Sequence, residues 1–76
     1  MTERRMLSAL QPGESGRVTA ITGDPDATQR LMDMGLIRGT TIKVERLAPL
    51  GDPIEVRVRG FMLTLRRSEA EHITVE

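Results

Sequence analysis

The sequence predicts a mainly β fold: a small barrel of roughly five short strands with one short α-helix inserted after the first strand. Three observations carry this. Apolar residues alternate with polar ones through Thr40–Leu47, Ile54–Arg59 and Phe61–Arg66, the period of half-buried strands. One segment instead spaces Ala27, Leu31 and Met34 at helical intervals. Glycine and proline punctuate the chain between these segments, and 76 residues leave room for one domain, 1–76, with a small core. Strands this short close most readily into a barrel, which hides their edges.

Taken in order, Leu7 and Leu10 sit one helical turn apart, but Ser8 and Pro12 limit that stretch to a short turn. Gln11-Pro12-Gly13-Glu14 has the composition of a tight turn. Arg17–Thr22 is rich in β-formers and gives the first strand. Asp24 then suits a helix N-cap, with Pro25 at the first helical position and Asp26 near the positive end of the helix dipole. Gly35 lies where the helix must end through a left-handed residue, which lets Leu36 fold back on Leu31. Gly39 adds a second bend, after which Ile42 and Val44 share one strand face and Lys43 and Glu45 the other.

Ala48–Pro53 is a loop with two prolines and a glycine. Ile54, Val56 and Val58 alternate with Glu55, Arg57 and Arg59, and Arg59-Gly60 forms a two-residue hairpin turn. On the return strand Phe61, Leu63 and Leu65 face the core, opposite Met62, Thr64 and Arg66. Ser68 caps a brief helical turn through Glu71, and Ile73–Val75 is a last short strand.

Composition excludes several functions. With no cysteine there is no disulfide framework or thiol chemistry, and with no signal peptide this favours a reducing cytoplasm. No apolar run approaches the ~20 residues that cross a bilayer. Eleven basic and eleven acidic residues cancel, and Phe61 is the only aromatic, so no nucleic-acid partner is expected. The sole histidine, His72, reads as a surface residue with no serine nucleophile set beside it, and no phosphate-binding loop occurs. The chain is expected to be no enzyme and to carry no cofactor.

No metal site is expected either. Asp24 and Asp26 lack the rest of a calcium loop, and a helix cap and helix surface explain them together with Asp33. Met32, Met34 and Met62 suit iron(II) poorly, because that ion prefers imidazole and carboxylate to thioether. Met34 belongs to the helix's buried stripe; Met32 lies off it, as an adaptable contact for a partner would. Arg57, Arg59 and Arg66 share the outward face of the second hairpin. That face is solvated surface or, alternatively, the phosphate-facing patch of a small nucleic-acid-binding barrel. Leu50, between Pro49 and Gly51, either tucks under the barrel or stands exposed as a contact.

The segments LSALQPGESGRV, RLMDMGLIRGTTIKV, APLGDPIEVRVRG and LTLRRSEAEHITVE, in this order and spacing from about Leu7 to the end, resemble the ferrous iron transport protein A (FeoA) family. The resemblance implies a cytoplasmic SH3-like barrel, similar also to the domain that closes the chain of iron-dependent repressors. It implies transition-metal-ion binding at the family level only, without a catalytic triad or a fixed metal site. Members accompany FeoB, the membrane ferrous-iron transporter with a cytoplasmic GTPase domain, so the chain would meet the membrane only through that partner. On this footing Met32, Leu36, Arg38, Leu47, Pro49, Leu50 and Asp52 form the expected docking surface. Self-association into a homo-oligomer is a further expectation, given the modest core.

Overall fold

A computed structural model describes residues 4–76. Six strands and two helices follow one another: β1 (Arg5–Met6), β2 (Ser15–Ile21), α1 (Pro25–Asp33), β3 (Thr41–Leu47), β4 (Ile54–Val58), β5 (Phe61–Leu65), α2 (Arg67–Ala70) and β6 (Ile73–Val75), with a 3₁₀ turn at Leu7–Ala9. The sixth strand beyond the expected five is the two-residue β1, too short to leave a periodic signal. All pairings are antiparallel, in the order β1-β6-β2-β3-β4-β5.

β2 bends the sheet around its core. Ser15–Arg17 pair with β3, whereas Val18–Ile21 pair with β6, so one strand belongs to both ladders. Gly16 sits at the crossing, where a Cβ would lie 2.8 Å from Val75 Cβ; only a residue without a side chain lets β6 come this close. Bulges between Val18 and Ala20 and between Val44 and Arg46 add curvature.

The alternation in β3 and β4 places Ile42, Val44, Ile54, Val56 and Val58 in one buried cluster with Leu7, Leu31, Leu36, Leu65 and Ile73. β5 departs from the expected pattern. Leu65 is buried and Leu63 half-buried, but Phe61 is 70% exposed, although it shares their face. Its partner Val58 is the last residue of β4, and the core has tapered out beside the turn. The expected closure of the edges also fails: β5 ends the ladder on one side and β1 on the other.

Helix α1 is bounded as the sequence indicates. Asp24 Oδ1 accepts the Ala27 N–H at 2.9 Å, and Pro25 opens the helix. At the other end Gly35, with φ 94°, gives its N–H to Met32 O at 2.9 Å and Leu36 gives its own to Leu31 O at 3.1 Å. These two bonds satisfy orphan carbonyls and turn Leu36 into the core above Leu31. Helix α2 is held differently from expectation. Ser68 lies inside it rather than at its cap; Glu69 accepts the Arg66 N–H at 2.9 Å and Asp52, from the β3–β4 loop, accepts the Arg67 N–H at 3.0 Å.

Candidate functional site

The expected docking residues separate into three environments. Met32 and Arg38 are exposed and, with Ile37, line a cleft shared with Val18, Ala20 and Ile21 of β2 and Thr28 of α1. Ile37 is itself 39% exposed and Met32 42%. The cleft holds about 180 Å³, below the roughly 300 Å³ of small-molecule sites and nearer the bulk of one inserted partner side chain. Among the described residues the Arg38 guanidinium has no hydrogen bond or ion pair.

Leu50 stands at the tip of the β3–β4 loop, 91% exposed, which decides against its tucking under the barrel. The loop beneath it is firm: Gly51 N–H reaches Ala48 O at 2.7 Å and Ala48 N–H reaches Pro53 O at 3.1 Å. Pro49 is exposed beside it and Leu47 is half-buried against the core. A hydrogen-bonded loop that presents one unshielded leucine fits a contact residue better than a folding one.

Two expected members are claimed by the fold itself. Leu36 is wholly buried by the helix-ending turn, so its side chain offers no surface. Asp52 spends its carboxylate on the first turn of α2. Ile37 was missed. The signal was present in Gly35-Leu36-Ile37: a cap that sends Leu36 inward must turn its neighbour out.

The arginine face expected on the second hairpin does not assemble as a basic patch. Arg57 Nε lies 3.3 Å from Glu45, Arg46 Nε lies 3.2 Å from Glu55, and Lys43 Nζ is 4.0 Å from Glu45, so acids alternate with bases. Arg59 sits in the turn with φ 52°, and Arg66 lies past the end of β5. A phosphate backbone would meet paired charges along β3 and β4, while Arg59 and Arg66, at the two ends of β5, have no ion-pair partner among the described residues.

His72 is exposed in the turn after α2, where its carbonyl accepts the Thr22 N–H at 2.8 Å. Among the described residues no three His, Cys, Asp or Glu side chains gather as metal ligands would, and no helix is long and apolar enough to cross a membrane.

Comparison with known proteins gives these surfaces a context. Residues 5–76 match the FeoA domain family. A Porphyromonas gingivalis protein, the Fe(2+) transport protein A/Fe(2+) transporter FeoB fusion protein, is 36% identical over 70 residues, which take in 92% of this chain and 8% of that one. Thus the chain spans only a small part of that relative. The solution structure of the Chlorobium tepidum FeoA protein is 53% identical with a TM-score of 0.88, over 95% of this chain and 69% of that one. The Stenotrophomonas maltophilia FeoA, an SH3 domain protein crystallised with zinc, is 27% identical with a TM-score of 0.80, over 92% and 87%. The fold is therefore SH3-like, and it recurs in T. acidophilum IdeR at 26% identity and a TM-score of 0.83, over 99% of this chain and 34% of that one.

Proposed function

This chain belongs to the FeoA family, and on that premise we propose that it is a non-enzymatic accessory protein of ferrous-iron uptake. It acts in the cytoplasm, by contact with the GTPase-bearing part of an FeoB-type transporter. One observation carries the reading: in the Porphyromonas gingivalis relative, a segment like this chain is joined to an FeoB transporter in one polypeptide. Fusion holds two partners at high effective concentration without an added interface. Wherever two such partners are separate polypeptides, the interface has to come from their own surfaces.

The surface best suited to this is the cleft of Met32, Ile37 and Arg38 together with the exposed tip of Leu50. A methionine adapts its shape to a partner, an exposed leucine removes apolar area from water on contact, and an arginine without a partner supplies one directional bond. Contacts of this kind are mainly apolar and weakly screened, so binding should survive moderate salt.

Titration of the chain into a purified FeoB-type transporter, first with GDP and then with a GTP analogue, tests this. Saturable binding that depends on the nucleotide or alters GTP turnover is the expected result. No binding in either state removes the reading.

A further inference from the structure

The outer edge of β5 has a chemistry that the docking surface above does not use. In a two-residue hairpin the pair flanking the turn, here Val58 and Phe61, exchanges hydrogen bonds. Phe61, Leu63 and Leu65 therefore point their N–H and C=O groups at β4, while Met62 and Thr64 point theirs away from it. β5 ends the ladder, and among the described residues no backbone hydrogen bond reaches that outer side.

Protein edges are ordinarily blocked by a lysine, a proline or a bulge. β5, with the sequence FMLTL, has no charge and no proline, and it pairs with β4 without a register shift. Phe61 and Met62 are 70% and 45% exposed, on opposite faces of the strand. Beside Thr64 the edge opens into a groove of about 640 Å³ that Arg30, Met34, Asp52, Pro53, Arg66 and Glu69 also line; Glu69 is engaged by the Arg30 guanidinium and the Arg66 N–H, and Asp52 by the Arg67 N–H. Such an edge is shaped to receive another strand.

Charge identifies the occupant. Arg59 stands at one end of β5 and Arg66 at the other, and among the described residues neither guanidinium has a partner. A second copy of this chain pairing antiparallel through β5 would bring the Arg59 end of each copy against the Arg66–Arg67 end of the other. A segment with carboxylates at its two ends and apolar residues between them meets both cations and covers Phe61 and Met62.

We propose that the β5 edge takes up an extended segment of a partner protein, apolar at alternate positions and acidic at both ends, as an added strand. This goes beyond the accessory role above and does not depend on it, because the test contains no transporter. The probe is a short synthetic peptide of alternating valine and threonine with aspartates at both ends, added to the isotope-labelled chain. The measurement is amide hydrogen exchange by NMR, residue by residue.

The expected result is slowed exchange at Met62 and Thr64, outward-facing amides, on addition of the peptide. A peptide N-methylated on its pairing edge should give no protection, and this control leaves the protein unchanged. Lysines in place of the aspartates should weaken binding roughly tenfold. Absence of protection at both amides overturns the proposal. So does protection that grows with protein concentration alone, which would make the occupant a second copy, or equal binding of the lysine-ended peptide.

Discussion

Arg59 holds a left-handed backbone, φ 52°, beside Gly60 at φ 84°, the pair of angles that a tight hairpin turn demands. A branched or long side chain is strained there, whereas asparagine adopts the conformation readily. Arg59→Asn should raise stability by about 1 kcal/mol, seen as a rise in Tm of roughly 4–8 °C for a domain of this size. An unchanged or lower Tm would mean that the arginine side chain contributes more than its backbone strain costs. Glu14 shows the opposite, a residue suited to its place. The Arg5 guanidinium, 3.0 Å away, and the Gln11 N–H, 2.7 Å away, hold its carboxyl below the usual carboxylate range. Since the folded state binds the proton less tightly than the unfolded chain, this contact stabilises at neutral pH. The contribution is lost as pH falls from the ordinary value of the unfolded carboxyl through the lower folded one. Urea unfolding of the wild type and Glu14→Gln should therefore differ at pH 7, and the difference should shrink as the pH falls through the acid range. A constant difference across that range would assign the effect to packing instead.

At the scale of elements, α1 was legible because both of its ends are written in local chemistry. Asp24-Pro25 and Gly35-Leu36 specify a start and a stop that no tertiary contact has to supply. α2 was not legible in the same way. Its cap comes from Asp52 in a distant loop, and Ser68, the residue with the right composition, lies one position inside the helix. Asp52→Ala should cost about 1 kcal/mol, the usual loss for an N-terminal acceptor, while Asp52→Asn, which keeps an acceptor oxygen, should cost less. Equal stability of the two variants in thermal melts would remove Asp52 from this role. β5 shows another limit. Alternation gives the face on which Phe61 lies but not whether the core extends far enough to cover it.

For the whole molecule, the mainly β class, the helix after the first full strand and the FeoA likeness were all present in the sequence. The turning of β2 between two ladders was not, because it depends on Gly16 meeting Val75, residues far apart in the chain. Nor was the division of the expected docking residues. Spacing alone cannot show that Leu36 is buried while Ile37 beside it is exposed, or that Met32 and Leu50 occupy different parts of the surface. The proposed partner rests on the family and on the fused relative, and the proposed places of contact rest on which side chains the chain exposes.

Those places are open to direct measurement by titrating the wild type, Leu50→Ala and the double variant Met32→Ala/Ile37→Ala into an FeoB-type transporter. Leu50 is 91% exposed, so Leu50→Ala should keep the wild-type Tm; Met32 and Ile37 are more than half covered, so the double variant should melt somewhat lower and its affinity is read well below its own Tm. Docking through these side chains predicts that each variant loses roughly tenfold in affinity, the effect of truncating an interface anchor. Full affinity in both variants, or its loss on reversing the charge of Arg57 instead, would contradict docking at this surface.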